Sequence, residues 1–81
     1  MRFVISSDRE IVVAFEPTAA EYVLRPGQHI NVEWFGGGDD GTVQLDAANL
    51  VVWAPSGGYN RAWDQVGVEI YIGPESGPDA Q

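Results

Sequence analysis

Apolar residues fall at every second position through much of this chain, and the pattern is clearest on either side of Pro26 and Gly27. Proline restricts φ to the value needed at the second position of a tight turn, and glycine accepts the positive φ required at the third. The apolar positions that flank this turn are Tyr22, Leu24, Ile30, Val32 and Trp34. A period of two is typical of strands in which successive side chains point to opposite faces. We therefore predict a β-hairpin over residues 21–35.

The same alternation predicts further strands at residues 2–6, 10–16, 42–46, 50–54 and 67–72. The second and fourth of these segments are apolar on both faces, which indicates central strands. Segment 59–67 is ambiguous, because Ala62, Trp63 and Val66 have helical spacing over a length that permits only one or two turns.

Short strands at even spacing, with no long helical segment, predict an all-β fold: a single small antiparallel β-sandwich or barrel of six to eight short strands. One domain is expected over residues 1–72, and residues 73–81, with two glycines and two prolines, are expected to form a flexible tail. Alternation assigns to the core Phe3, Ile5, Ile11, Val13, Phe15, Tyr22, Leu24, Ile30, Val32, Val43, Leu45, Leu50, Val52, Val68 and Ile70.

Charge narrows the choice of partner. Twelve Asp and Glu oppose four Arg, which gives a net charge of −8. Nucleic acids and anionic membranes are disfavoured as partners, because binding to phosphates depends on cationic side chains, whereas a basic protein is attracted. The apolar run at residues 3–5 is too short for the core of a signal peptide, and no segment approaches a membrane span, so a cytoplasmic location is expected.

Candidate chemistry is sparse. Cysteine is absent, which excludes disulfides, cysteine-ligated metals and thiol nucleophiles. Residues 36–41 formally match G-x-G-x-x-G, but the segment that follows has the periodicity of a strand, whereas phosphate binding needs the start of a helix. Asp39, Asp40 and Asp46 could supply oxygen ligands to a cation such as Ca²⁺, although their spacing is not that of an EF-hand loop. His29 is the single histidine and is expected to face solvent. No cofactor is expected.

Aromatic side chains are the more informative group. Trp53, Tyr59 and Trp63 flank the turn at residues 55–58, with Arg61 and Asp64 beside them. Rings next to hydrogen-bonding groups are typical of protein-binding hot spots and of sugar sites, and the competing interpretation is that the tryptophans serve the core. The candidate partner-binding set is Trp34, Trp53, Tyr59, Arg61 and Trp63, with an acidic rim of Asp39, Asp40 and Asp64. Val12, Val51, Trp53 and Tyr71 could form an outer apolar face.

The segments Phe15-Glu16-Pro17, Glu21 to Gln28 and Val32-Glu33 resemble a group of small uncharacterised bacterial proteins, in which a Tyr-x-Leu-x-Pro-Gly hairpin lies in the middle of a short all-β chain. The resemblance covers residues 10–35, implies the same fold class, and carries no functional residues. We expect a non-catalytic acidic protein-interaction module, an accessory or inhibitor-like subunit that binds a basic protein and is also able to self-associate. A carbohydrate-binding module that uses the same aromatic residues and a small enzyme that relies on carboxylates are the alternatives.

Overall fold

The structure is a computed structural model that describes residues 1–73. These residues form eight strands and no helix, which confirms the predicted all-β class. The strands are β1 (Arg2–Ser6), β2 (Ile11–Glu16), β3 (Ala20–Leu24), β4 (His29–Gly36), β5 (Thr42–Asp46), β6 (Asn49–Trp53), β7 (Gly58–Trp63) and β8 (Glu69–Ile70). The predicted tail, apart from Gly73, lies outside the described residues.

The strands form two four-stranded sheets in a sandwich-like arrangement. Sheet A has the order β1-β4-β7-β8 and is antiparallel throughout, whereas sheet B has the order β3-β2-β6-β5. In sheet B, β2 and β6 are parallel neighbours, which the prediction of antiparallel pairing did not include. The chain leaves sheet B after β3, adds β4 to sheet A, and returns through the β5–β6 hairpin, so that β6 runs in the same direction as β2.

The core lies between the inward faces of the two sheets. Its buried members are Ile5, Ile11, Val13, Phe15, Leu24, Ile30, Val32, Val52, Ala62 and Ile72, and Phe3, Ala20, Tyr22, Trp34, Leu50 and Ile70 pack against them. Twelve of the fifteen residues assigned to the core from alternation belong to one of these two groups. Alternation along strands therefore identified most of the interior.

Three core assignments are wrong. Val43 and Leu45 point inward from β5, but they are 45% and 73% exposed because β5 is an edge strand that sheet A does not cover. Val68 is 60% exposed because it belongs to a turn, and β8 is shorter than the predicted strand at residues 67–72.

The ambiguous segment 59–67 is divided at Asp64, where β7 has ended and a turn begins. Residues 58–63 form a strand and no helical turn, and the Asp64 carboxylate accepts hydrogen bonds from the backbone N–H groups of Val66 (3.0 Å) and Val68 (2.9 Å). The Asp64 backbone N–H also donates to the Val68 carbonyl (2.8 Å). Aspartate favours such local bonds, which turn the chain from β7 into β8. Among residues 1–73 there is no helix long and apolar enough to cross a membrane.

Candidate protein-binding surfaces

The eight residues of the candidate partner-binding set are distributed over five places and do not form one site. Trp34 points into the core from β4, whereas Trp53 lies on the outer face of sheet B. Tyr59, Arg61 and Trp63 lie on the outer face of sheet A. The acidic residues are in loops: Asp39 and Asp40 lie between β4 and β5, and Asp64 is in the turn before β8.

Trp34 is a packing residue. Its ring meets the ring of Phe3 edge to face, with centroids 4.9 Å apart, and a Cβ atom on Gly41 would lie only 2.5 Å from it. Its register partner is Asn60, which is buried and donates from Nδ2 to the Glu16 carbonyl (3.2 Å). Trp34 Nε1 and Asn60 Oδ1 are buried without a hydrogen-bond partner in the described chain. The interpretation of Trp34 as a core residue is therefore correct.

An aromatic cluster covers part of the outer face of sheet A, and we call Phe35, Tyr59, Arg61 and Trp63 the aromatic face. Phe35 and Tyr59 are register partners, and their rings are stacked with centroids 5.3 Å apart. The guanidinium carbon of Arg61 lies 5.4 Å from the centroid of Trp63 and 5.8 Å from that of Phe35, within cation–π range. Alternation places Phe35 on the face of β4 opposite to Trp34, and Phe35 was not in the candidate set.

Arg61 of the aromatic face and the neighbouring Arg2 are both held in ion pairs. Arg61 donates to Glu69 through two bonds, Nε to Oε2 (2.7 Å) and Nη2 to Oε1 (2.5 Å), and this hydrogen bonding raises the pKa of Arg61 against the opposing effect of desolvation. Arg2 pairs with Glu33 (3.1 Å) and lies 5.5 Å from the Trp63 centroid. Two guanidinium groups therefore lie over the Trp63 ring, and their charges are balanced by two carboxylates.

A second surface lies on the outer face of sheet B, and we call it the Trp53 face: Val12, Ala14, Glu16, Glu21, Val23, Val51 and Trp53. These residues alternate with core residues along β2, β3 and β6, and register places Glu16 beside Trp53 and Ala14 beside Val51. Trp53 and Val23 are each 44% exposed. Val12, Val51 and Trp53 belong to the outer apolar face expected from the sequence, whereas Tyr71, the fourth expected member, follows β8 of sheet A.

The charge of the Trp53 face is negative. Glu16 and Glu21 lie on it, Asp46 lies at its margin on β5, and none of the three forms an ion pair within residues 1–73. The nearest arginine in register is Arg25, which follows β3 and pairs with Glu10 (3.5 Å). Arg9 pairs with Asp8 (3.1 Å), so each of the four arginines has an acidic partner. Within residues 1–73, the acids without an ion pair therefore lie on the Trp53 face or at its margin (Glu16, Glu21 and Asp46) and in the loops (Asp39, Asp40 and Asp64).

Asp40 has a structural role in the loop before β5. Its carboxylate accepts from the Ser56 backbone N–H (2.9 Å) and from Ser56 Oγ (2.5 Å), and these bonds lower the pKa of Asp40. The loop is also held by the Gly38 N–H, which donates to the Ser56 carbonyl (3.1 Å). Asp39, Asp40 and Asp46 are not brought together: in the described part of the chain no group of three or more His, Cys, Asp or Glu is placed to hold a metal ion.

An open cleft of about 400 Å³ lies beside this loop. Its lining residues are Met1, Trp34, Gly36, Gly37, Gly38, Asp39, Gly41 and Pro55, and Asp39 is the only acidic side chain among them. Glycoside hydrolysis by a carboxylate pair needs two such groups that flank the scissile glycosidic bond. The cleft therefore gives no support to the enzyme alternative.

Comparisons with models of protein families, with curated proteins and with solved structures found no match. The class of this protein is therefore described from the fold and the two outer faces alone. It is a small two-sheet β protein with one charge-balanced aromatic face and one acidic face. The resemblance to small bacterial all-β proteins stays a prediction.

Proposed function

We propose that this protein is a non-catalytic protein-interaction module that binds a basic surface of another protein through the Trp53 face. The observation that carries the proposal is the pairing of charges: every arginine is engaged by an acidic partner, while Glu16 beside the half-exposed Trp53, and Glu21 and Asp46 farther along the same face, form no ion pair in the described residues.

Trp53 suits the role of an anchor. A tryptophan at the centre of an interface contributes a large apolar area, and such residues carry much of the energy of protein–protein binding. Its neighbours Ala14 and Val51 are already half-buried, so a partner that covers Trp53 also removes this apolar strip from water. The carboxylates at the margin would steer a basic partner and would fix its orientation.

The test is affinity capture from the native source with the full chain, at low and at raised salt. We expect a specific protein with a basic surface, whose capture weakens as salt rises, because exposed charges are screened over about 8–10 Å at physiological ionic strength. Trp53→Ala should lose the partner. Trp63→Ala is the matched control, because it removes a tryptophan from the opposite sheet.

Three outcomes would contradict the proposal. These are the absence of any specific protein, capture that strengthens with salt, and loss of the partner on Trp63→Ala with retention on Trp53→Ala. Circular dichroism of each variant separates a lost contact from a lost fold.

Carbohydrate binding is the second candidate, and the stacked rings of Phe35 and Tyr59 favour it. Trp53 and Trp63 cannot form one sugar platform, since they lie on opposite sheets, so the aromatic face is the site to test. Arg2 and Arg61 already lie over the Trp63 ring, which leaves less of that ring for a sugar. A glycan array without hits, or with hits that Tyr59→Ala does not change, would remove this candidate.

A cytoplasmic location is part of the proposal. Its support is the absence of cysteine, because small secreted domains commonly depend on disulfides for stability. Subcellular fractionation of the native source tests it.

A further inference from the structure

Strand β5 is the least covered edge of the sandwich. The inward-facing residues of the edge strands β1 and β3 are buried or half-buried: Phe3 and Ile5, and Tyr22 and Leu24. In β5 all five residues are exposed, although the strand is paired along its whole length with β6. Its sequence, Thr-Val-Gln-Leu-Asp, has none of the lysine, proline or inward-pointing charge that natural proteins use to block edge pairing.

The exposed residues of β5 include an apolar strip on the core side. Val43 and Leu45 are register partners of Val52 and Leu50, which pack in the core, yet they remain 45% and 73% exposed. A groove lined in part by Ile11, Leu45 and Leu50 runs beside them. Residues 74–81 contain no Val, Ile, Leu, Met or aromatic side chain that could supply a cover. A second chain that pairs with the edge of β5 would cover this strip.

Hairpin geometry determines which backbone groups of β5 are free to pair. Asp46 and Asn49 are register partners across a loop of two residues, and the residues that flank such a loop form a hydrogen-bonded pair. Thr42, Gln44 and Asp46 therefore direct their N–H and C=O groups toward β6. By alternation, Val43 and Leu45 direct theirs to the open edge.

We propose that a second copy of this chain pairs with β5 in antiparallel fashion about a twofold axis at Gln44. In this register Val43 faces Leu45 of the second copy, Thr42 faces Asp46, and Gln44 faces Gln44. The free backbone groups of Val43 and Leu45 meet their equivalents and form four hydrogen bonds across the axis. It is the symmetric register that pairs all five residues of the strand.

Side-chain chemistry supports this occupant. Directly opposite residues share a face, so Val43 and Leu45 of both copies form one continuous apolar strip on the core side. No carboxylate faces another, because the single acid of β5 is opposite a threonine. An antiparallel strand added to a free edge is a common mode of association, and a twofold interface must be self-complementary in this way.

Net charge gives the association a distinctive salt dependence. Each chain carries −8, so two copies repel each other at low ionic strength, and screening by salt should tighten the dimer. Binding of a basic partner to the Trp53 face should instead weaken with salt. The dimer does not depend on the proposed function, and the opposite responses to salt distinguish the two.

Sedimentation equilibrium of the full chain, over a series of protein and salt concentrations, tests the proposal. We expect a reversible monomer–dimer equilibrium whose dissociation constant falls as NaCl rises. A chain that stays monomeric at millimolar concentration and high salt would overturn the proposal.

Substitutions of Thr42 test the register itself. Thr42→Lys creates two symmetric ion pairs with Asp46 of the facing copy, and Thr42→Asp creates two repulsive pairs instead. From the range for cross-strand charge pairs, the dissociation constant should fall or rise by about two- to thirtyfold at low salt. Both changes are on an exposed strand, and circular dichroism should show an unchanged fold.

Val4→Lys is the matched control, because it adds the same charge to an exposed position on the edge strand β1. It should change the dissociation constant less than Thr42→Lys does. If Thr42→Lys and Val4→Lys lower the dissociation constant equally, only the change in net charge affects dimerisation. If Thr42→Asp leaves the dissociation constant unchanged, β5 is not the interface. Either result refutes the proposed register.

Discussion

Replacing Leu24 with alanine should destabilise the protein far more than the same replacement of Leu45. Both leucines lie on short strands, and both were assigned to the core from the sequence. Leu24 is 0% exposed, so its truncation loses the full transfer free energy and leaves a cavity, at a cost of about 2–5 kcal/mol.

Truncation of Leu45 should lose only about a quarter of the burial free energy of a leucine side chain. Leu45 is 73% exposed, and full burial of a leucine side chain contributes roughly 1.5–3 kcal/mol, so its truncation should cost at most about 0.4–0.8 kcal/mol. The difference between the two variants is therefore expected to exceed about 1 kcal/mol.

Urea unfolding followed by tryptophan fluorescence measures both values. The protein concentration should be low enough that sedimentation shows only the monomer. Self-association through β5 then does not contribute to the measured cost of Leu45→Ala. If Leu24→Ala leaves too little folded protein, Ile30→Val provides a milder change at a position that is also 0% exposed, with an expected cost of about 0.5–1.5 kcal/mol. If Leu24→Ala and Leu45→Ala lower the free energy of unfolding equally, coverage by sheet A does not decide how much each leucine contributes to stability.

Two further predictions concern the loop before β5. The hydrogen bonds from Ser56 lower the pKa of Asp40 from 3.8, so the stability that the ionised carboxylate contributes is present above that pH and is lost as the pH falls through the lowered pKa. The difference in melting temperature between the wild type and Asp40→Asn should therefore narrow below about pH 4. A difference that widens in acid would contradict the assignment. Gly41→Ala should cost about 1–3 kcal/mol, because the new Cβ would meet the Trp34 ring at 2.5 Å, whereas Gly38→Ala has only Asp40 Oδ1 at 3.5 Å and should be close to neutral in thermal unfolding.

Much of the local structure could be read from the residues in order. The Pro26-Gly27 turn separates two strands as predicted, and the buried positions of β2 and β4 follow the alternation without exception. Segment 59–67 was harder, because helical spacing of three apolar residues competes with alternation over so short a length. Tertiary pairing of β7 with β4 decided it in favour of a strand.

The candidate site was much less predictable. Trp53, Tyr59 and Trp63 are close in sequence, but a turn between β6 and β7 carries the chain from sheet B to sheet A and places their side chains on opposite outer faces. Residues far apart in sequence form the aromatic face instead: Arg61 meets Glu69 within sheet A, and Phe35 reaches Tyr59 through the β4–β7 register. No local pattern contains that register.

By itself, the sequence determined the class of fold, because the alternation of side chains along an extended backbone is a local property that each short segment carries. It also determined that no thiol chemistry is available and that the chain is acidic. Only the tertiary structure decided that β2 and β6 run parallel, that β5 lies beyond the cover of sheet A, and that Glu16, Glu21 and Asp46 share one outer face with Trp53 without forming an ion pair in the described residues. The reason is that an alternating strand specifies two faces, whereas what covers each face depends on the position of strands that are distant in the chain.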